Sequence, residues 1–256
     1  MNNKKVVLEI KGLSKHFGGI KAIDNVDLKL YDSEIVAIVG DNGAGKSTLI
    51  KMISGVYKKD EGKIFINNEE VKINDPNDAK ICGIETVYQD EGLIPILDVA
   101  SNLFLGREKI QQNALGKIFK FVDVKYMKKE TIKLLDKFRI EIKNIDAEVR
   151  TLSGGQRQAV TVGRSVYWGK KIVILDEPTN NLGVKEQKKT LDLIKQLRDD
   201  HGMSIIVISH NLYHVFELVD RIVVLRNGKI IGEKIKDKTT PNEIVSMITG
   251  LVSIQN

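Results

Sequence analysis

The stretch that decides the fold reads Gly40-Asp41-Asn42-Gly43-Ala44-Gly45-Lys46-Ser47. A short apolar β-type run, residues 34–39, precedes it, and an apolar-patterned helix over residues 46–54, stopped by Gly55, follows it. Strand, glycine loop and helix in this order are the context in which G-x-x-x-x-G-K-S binds phosphate, so the context argues against the alternative of a chance glycine turn. The sequence therefore predicts a site for a nucleotide triphosphate.

Each part of this stretch, called the phosphate loop below (residues 40–47), has a chemical reason. The glycines let backbone N–H groups turn toward a phosphate chain, and the helix N-terminus adds a partial positive charge. Lys46 supplies a mobile cation for the outer phosphates, and Ser47 supplies a hydroxyl for Mg²⁺. The residues assigned here to nucleotide binding are Gly40, Asp41, Asn42, Gly43, Ala44, Gly45, Lys46, Ser47 and Thr48.

Composition bounds the class of protein. At 256 residues the chain suits one large domain or two small ones, and 42% hydrophobic with 29% charged residues is typical of a globular protein. The net charge of +6 comes from 40 basic and 34 acidic residues with both signs interspersed, so it does not predict a nucleic-acid partner. A single cysteine, Cys82, excludes an internal disulfide. Because neither an apolar run near 18 residues nor a secretory leader is visible, we expect any membrane association to go through a partner.

The order of predicted elements changes along the chain. Antiparallel strands are expected first, at 6–10, 20–23 and 26–30, with turns at 18–19 and 24–25, and then at 62–66 and 71–73 across Asn67-Asn68. A helix at 75–82 and a strand at 86–88 follow, and residues 93–168 read as mostly helical, with helices at 98–105, 124–138 and 155–168. Strands at 171–175 and 204–209 alternate with helices at 184–198 and 211–218. A hairpin across Asn227-Gly228, a closing helix at 241–249 and a tail at 251–256 complete the prediction.

The helical region is also the most basic part of the chain. Its lysines are Lys117, Lys120, Lys125, Lys128, Lys129, Lys133 and Lys137. Such a run is usually a solvated face, and a surface for an anionic partner is the alternative.

Two carboxylates follow the apolar run at residues 172–175. We predict that Asp176 holds Mg²⁺ through water, opposite the Ser47 hydroxyl. Glu177 stands one residue further, and we assign it as the general base, or as the group that polarises the attacking water. The alternative is a helix cap before Pro178, and pairing with the phosphate loop favours the catalytic interpretation.

A second phosphate-binding segment is predicted at the start of the helix near residue 155. It reads Leu152-Ser153-Gly154-Gly155-Gln156, and a serine and two glycines at a helix N-terminus can hold phosphate. Alone the pattern is an ordinary capped turn. Two phosphate-binding segments and one nucleotide suggest that the site is shared between chains. Residues 153–156 are called the Ser-Gly-Gly segment below.

The order of these motifs resembles the ATP-binding subunit of an ABC transporter over nearly the whole chain. In that family the nucleotide lies between one subunit's phosphate loop and its partner's Ser-Gly-Gly segment. The resemblance implies that Phe17 stacks on adenine, that His210 contacts the γ-phosphate, and that Gln89 touches Mg²⁺ and the attacking water and senses the membrane subunit. The implied catalytic set is then Lys46, Gln89, Glu177 and His210, and the implied metal set is Ser47, Gln89 and Asp176.

The resemblance also implies an α/β fold. We expect one domain over residues 1–256: a P-loop NTPase core with a parallel sheet at about 1–92 and 169–256, an N-terminal antiparallel β-subdomain, and an inserted α-helical subdomain at about 93–168. Where the family usually has an aspartate after Glu177-Pro178-Thr179, this chain has Gly183. That substitution, with Val87-Tyr88-Gln89 and residues 100–108, is similar to the ATPases of ribose- and fructose-type importers.

The expected function is therefore ATP hydrolysis that drives uptake of a simple sugar. A second copy of the chain is an expected partner, since many relatives fuse two ATPase halves and this chain has one. Permease subunits are expected to dock at residues 89–107, and a solute-binding protein is an indirect partner. The expected place is the cytoplasmic face of the cell membrane. Alternatives that stay open are the same role for an amino acid, lipid or drug, and a soluble ABC ATPase acting outside transport.

Overall fold

The computed structural model describes residues 4–89, 92–169 and 171–251. Residues 90 and 91 of the expected docking region and residues 252–256 of the expected tail lie outside the described residues. The strands are β1 (Val6–Phe17), β2 (Ile20–Tyr31), β3 (Ile35–Val39), β4 (Glu61–Ile66), β5 (Glu69–Val71), β6 (Ile84–Val87), β7 (Ile172–Asp176), β8 (Ser204–Ile208), β9 (Arg221–Arg226) and β10 (Lys229–Ile235). The helices are α1 (Lys46–Ile53), α2 (Pro76–Ile81), α3 (Val99–Leu103), α4 (Ala114–Phe119), α5 (Val124–Lys137), α6 (Gly154–Trp168), α7 (Val184–Asp199), α8 (Leu212–Leu218) and α9 (Pro241–Thr249).

The chain divides into two units. The first contains residues 1–89, 169–178 and 194–256, and the second contains residues 90–168 and 179–193. Residues 179–193 were not included in the helical subdomain expected at about 93–168. Among the described residues, no helix combines the length and the apolar character that crossing a bilayer requires.

The first unit contains a six-stranded sheet in the order β10-β9-β3-β8-β7-β6. Strands β9, β3, β8, β7 and β6 pair in parallel, and β10 joins β9 antiparallel at one edge. Every residue of β3 and β8 is buried, as continuous apolar runs of a parallel sheet require. The predicted parallel core is therefore confirmed.

The second sheet of this unit is antiparallel, with the order β2-β1-β4-β5, and this confirms the expected N-terminal β-subdomain. The turn expected at residues 24–25 is wrong, because β2 runs unbroken from Ile20 to Tyr31. Asn25 instead adopts φ 52°, and the register with β1 shifts between the Leu13–Val26 and Lys15–Ile23 pairs. Asparagine tolerates this left-handed conformation, so the strand bulges where a turn was expected.

A single apolar core supports both sheets and the helix after the phosphate loop. Four α1 residues are buried in it: Leu49, Ile50, Met52 and Ile53. The rest of the cluster comes from β1, β2, β3, β4, β6, β7, β8 and β9, with Ile73 and Ala79. Helix α1 is therefore anchored by its apolar face, and the position of the phosphate loop follows from that anchoring.

The second unit is mainly helical, as expected from the sequence. Helices α5 and α6 match the predicted segments, whereas α4 was not predicted. Phe104 is fully buried and meets Tyr167 and Trp168 edge-on at ring-centroid distances of 5.2 and 5.5 Å. The indole N–H of Trp168 donates to the Leu103 carbonyl at 2.8 Å. These aromatic contacts fix the end of α3 against α6.

A buried ion pair joins distant parts of the first unit. The Arg221 guanidinium donates to both carboxylate oxygens of Glu34 at 2.8 and 3.0 Å, and the two residues are 4% and 2% exposed. Arg221 also donates to the Lys29 carbonyl and to Glu233, each at 2.5 Å, and Glu34 accepts from the Tyr31 N–H at 2.9 Å. Both charges are thus fully paired at the N-terminal ends of β3 and β9.

Removing one member of this pair leaves the other charged and buried. We expect Arg221→Ala to lower the free energy of unfolding by about 3–5 kcal/mol. The matched control is Glu70→Ala, which breaks the exposed Lys63–Glu70 pair at 2.8 Å and is expected to leave the free energy of unfolding almost unchanged. Urea unfolding followed by circular dichroism measures both, and equal losses would contradict the structural role of Arg221.

Candidate active site

The carboxyl ends of four parallel strands meet at one edge of the six-stranded sheet. The phosphate loop follows β3, Gln89 closely follows β6, Glu177 follows β7 directly and His210 follows β8. The register aligns these ends, since Ile38 and Asp176 both pair with Ile208. Such an edge is where open α/β sheets bind ligands.

The phosphate loop is shaped by close contacts with neighbouring strands. A Cβ on Gly45 would lie 2.6 Å from the Ala22 carbonyl oxygen, and Gly45 has φ 107°, so only glycine fits this position. The Gly228 N–H donates to the Ala44 carbonyl at 2.9 Å. That glycine belongs to the predicted Asn227-Gly228 turn, where both residues have positive φ as a type I′ turn requires. The loop is therefore supported from two sides.

The Lys46 side chain is partly buried and folds back onto the phosphate loop. Its Nζ donates to the carbonyl oxygens of Gly40 and Asp41 at 2.7 and 2.8 Å. Burial lowers the pKa of Lys46, and the nearby carboxylates of Glu177, Asp41 and Asp176 act in the opposite direction. Ser47 is exposed at the start of α1, and Thr48 beside it is half-buried.

The two predicted carboxylates occupy different environments. Burial raises the pKa of Asp176, the Glu177 charge raises it further, and Lys46 and Lys51 lower it. Glu177 has φ 51°, a left-handed conformation that costs a non-glycine residue about 1–2 kcal/mol, and its N–H donates to the Ile208 carbonyl at 2.9 Å. Its side chain is 12% exposed. A strained, mostly shielded carboxylate at a strand end is typical of a functional residue.

His210 and Glu177 are brought together by the sheet. One carboxylate oxygen of Glu177, Oε1, accepts from the His210 N–H at 3.0 Å and lies 2.7 Å from His210 Nδ1. The imidazole itself is 65% exposed. The histidine therefore orients the carboxylate while its ring faces solvent, an arrangement in which the ring is accessible to a ligand.

Gln89 is exposed just beyond β6, and the residue before it is anchored. The Tyr88 hydroxyl lies 2.6 Å from Ser54 Oγ, and Ser54 Oγ donates to the Ile50 carbonyl of α1 at 2.8 Å. This contact ties the start of the Gln89 segment to the helix that carries Lys46. The sequence pointed to Tyr88 only as part of Val87-Tyr88-Gln89 and gave it no contact, because nothing local reveals a partner 34 residues away.

Phe17 ends β1 and is 44% exposed. Its ring meets Tyr57 edge-on with centroids 5.3 Å apart, and Lys15 Nζ lies 5.5 Å from its centroid. Exposed and held by a second aromatic, Phe17 presents a ring that a planar base could stack on. Tyr57 was not predicted, because its role arises only from this tertiary contact.

The Ser-Gly-Gly segment lies in the second unit, at the start of α6. Ser153 Oγ accepts from the Gln156 N–H at 3.2 Å, and the Gln156 side-chain oxygen accepts from the Ser153 N–H at 3.0 Å. This reciprocal pair is a capping box, and Gln156 also donates to the Glu141 carbonyl at 2.9 Å. The segment is therefore a preformed helix N-terminus. The predicted site residues thus fall into two groups, one in each unit.

Comparison with known proteins gives consistent matches. A family model described as ABC transporter matches residues 23–180. The xylose/arabinose import ATP-binding protein XylG of Sulfolobus acidocaldarius is 46% identical over 243 residues, covering 95% of this chain and 94% of its own. The fructose import ATP-binding protein FrcA of Rhizobium meliloti is 44% identical over 245 residues, with the same coverage. The ribose import ATP-binding protein RbsA of Caldanaerobacter subterraneus is 40% identical over 244 residues, which are 95% of this chain and 48% of that protein.

Solved structures match as well. A nucleotide-free ATP-binding cassette from an ABC transporter superposes with a TM-score of 0.81 at 26% identity, covering 94% of this chain and 98% of that one. A dimeric cassette in a post-hydrolysis state, bound to ADP and Pi, superposes with a TM-score of 0.72 at 28% identity, covering 90% and 98%.

The contacts of Lys46 generate a direct prediction. Lys46→Ala removes the only side-chain cation that donates to the loop carbonyls among the described residues, so nucleotide affinity should fall about tenfold or more. Lys51→Ala removes the same charge from the same helix without a bond to the loop and should change affinity less than about threefold. Titration calorimetry with ATP measures both. Unchanged binding by Lys46→Ala would refute the assignment.

Proposed function

The chain belongs to the ABC transporter family, and on this premise we propose that it is the ATP-hydrolysing subunit of an importer for a simple sugar. The resemblance inferred from the motif order is confirmed. The observation that carries the proposal is the convergence of Lys46, Asp176, Glu177 and His210 at one sheet edge. The names of the import proteins from Sulfolobus acidocaldarius and Rhizobium meliloti support the cargo class.

In this proposal the first unit binds ATP. Backbone N–H groups of residues 40–47 and the N-terminus of α1 hold the phosphates, and Lys46 turns from its loop carbonyls to the outer phosphates. Thr48 lies next to them on α1. Phe17, held by Tyr57, stacks on the adenine.

The residues at the edge also fit a magnesium ion. Ser47 and Asp176 provide oxygen donors, which Mg²⁺ prefers, and few protein ligands suffice because Mg²⁺ keeps waters and binds substrate phosphates. Gln89 contributes its side-chain oxygen from the end of β6. When bound, the ion neutralises charge on the phosphates.

Hydrolysis then needs positioning and one proton acceptor. Glu177 takes a proton from water as the water oxygen bonds to the γ-phosphorus, and the bond between that phosphorus and the ADP oxygen breaks in line. His210 holds Glu177 Oε1 through its backbone N–H, and its exposed ring contacts the γ-phosphate. Gln89 orients the same water.

Two copies of the chain complete the site. The phosphate loop and the Ser-Gly-Gly segment belong to different units, and the reciprocal Ser153–Gln156 hydrogen bonds preform the N-terminus at the second of them. We infer that Ser153, Gly154, Gly155 and Gln156 of a second copy close over the ATP held by the first. The solved cassette that is dimeric with ADP and Pi bound supports association of two copies.

The membrane partner docks on the second unit. Within residues 92–107, three apolar side chains are exposed: Ile94 at 37%, Ile96 at 66% and Leu105 at 39%. A group of exposed apolar side chains near Gln89 in sequence fits a permease contact that Gln89 can report. Residues 90 and 91 of this region are outside the described residues.

The subunit would then sit peripherally at the cytoplasmic face of the membrane, with a solute-binding protein delivering sugar to the permease. Uptake of radiolabelled xylose, ribose and fructose by the reconstituted transporter tests the cargo.

Replacing the proposed base should stop turnover without stopping binding. Glu177→Gln keeps the shape of the side chain but cannot accept the proton, so kcat should fall by about 10²–10⁴ while ATP affinity stays within about threefold. Glu217→Gln serves as the control. Glu217 forms an ion pair with Lys195 in the first unit, with 3.2 Å between Glu217 Oε1 and Lys195 Nζ, and this variant should remain active. Phosphate release and calorimetry give the two quantities. Undiminished hydrolysis by Glu177→Gln would remove Glu177 from its role.

The docking surface has a separate prediction. Ile96→Asp places a charge on the most exposed of the three apolar side chains, so it should weaken association with the permease and reduce sugar uptake several-fold. ATPase activity of the isolated chain should stay unchanged, since Ile96 is not among the residues assigned to nucleotide binding or hydrolysis. Wild-type uptake by the Ile96→Asp transporter would place the permease contact elsewhere.

A further inference from the structure

Glu186 lies in the first turn of α7, between two glycines of the second unit. A Cβ built on Gly155 would lie 2.6 Å from Glu186 Cγ and 2.9 Å from its Cβ. A Cβ built on Gly183 would lie 2.7 Å from Glu186 Oε2. The Glu186 side chain therefore fills the space that side chains at positions 155 and 183 would otherwise need.

The two contacts differ in how easily the neighbouring Glu186 atoms could move to make room for a side chain. At Gly155 the neighbour is the stem of Glu186, next to the α7 backbone, with Cα only 3.7 Å from the same point. At Gly183 the neighbour is the carboxylate tip, which can rotate away. The start of α6 is thus seated firmly on Glu186, whereas the 179–183 loop touches it through a movable group.

The capping box does not itself set where the segment lies. It fixes Ser153 and Gln156 relative to α6, but their place relative to the loop at residues 179–183 depends on what separates the two. Two side chains occupy that place: Leu182, whose Cδ2 would lie 3.4 Å from a Cβ on Gly154, and Glu186, which is in closer contact at Gly155. An acidic group in the first turn of α7 also favours that helix, but this effect alone needs no contact with Gly155.

We propose that Glu186 is a positioning residue for the Ser-Gly-Gly segment, holding it at a fixed place relative to the loop that ends at Gly183. This rests on the proposed function, in which the segment binds phosphate on a second copy. Glu186 touches neither nucleotide nor water in this role. It acts through the position of Gly155.

The first experiment separates positioning from binding at the phosphate loop. Glu186→Ala should lower kcat about tenfold or more, since small displacements of a phosphate-binding group carry large rate costs. ADP affinity, measured by calorimetry, should stay within twofold because residues 40–47 belong to the other unit. Glu186→Gln keeps the stem against Gly155 and should restore at least half of the activity.

The glycines provide a matched pair of variants. Gly183→Ala should hydrolyse ATP at near the wild-type rate, because only the carboxylate tip must move. Gly155→Ala should be strongly impaired, because its Cβ meets the stem. Adding Glu186→Ala to Gly155→Ala removes the Cγ contact at 2.6 Å and should recover several-fold activity, although the Cβ contact at 2.9 Å remains.

The proposal is overturned if Glu186→Ala hydrolyses ATP like wild type, or if the double variant is no better than Gly155→Ala. It is also overturned if Glu186→Ala loses ADP binding and melting temperature together with kcat, which would mark a merely structural residue. A failure of the proposed function looks different: Glu177→Gln would then hydrolyse ATP as fast as wild type, whatever the Glu186 variants do.

Discussion

Parallel pairing of β3, β8 and β7 is the constraint on which the site depends. Backbone hydrogen bonds fix Ile38, Ile208 and Asp176 side by side, so the residues that follow them leave the sheet at one edge. The backbone pairing of the strands therefore brings Glu177 and His210 together. The same arrangement places charged groups where water is partly excluded, which explains why burial lowers the pKa of Lys46 and raises that of Asp176. Each charged group is tolerated because the opposite charge is near.

The strands and the helix that carry the site residues are held in place by contacts at other parts of the first unit. The Arg221–Glu34 pair closes the opposite, N-terminal ends of β3 and β9, and the apolar face of α1 is buried in the core. The Asn227-Gly228 turn holds the phosphate loop from outside through the Ala44 carbonyl. With loop, helix and strand fixed, the left-handed conformation of Glu177 can be maintained at a cost of about 1–2 kcal/mol.

The two elements proposed to bind phosphate are built differently. The phosphate loop depends on neighbouring strands for its shape, whereas the Ser-Gly-Gly segment caps its own helix. The capping box forms without a ligand, which suits the proposed role of this segment at a nucleotide held by a second copy. Glycine at 155 serves packing as well, because it lets α6 approach the stem of Glu186.

The sequence by itself determined the elements whose signals are local: the strand, loop and helix around residues 40–47, the buried strands, helices α3, α5 and α6, and the Asn227-Gly228 turn. It also predicted roles for Asp176, Glu177 and the Ser-Gly-Gly segment, because strand ends and helix N-termini leave a pattern in consecutive residues. Only the tertiary structure decided that Asn25 bulges within β2, that Tyr88 bonds Ser54, that Tyr57 holds Phe17 and that Glu186 fills the space of two glycines. These contacts join residues that are distant in the chain, or they depend on a neighbour being glycine and leaving space for another side chain. Only packing in three dimensions specifies such contacts.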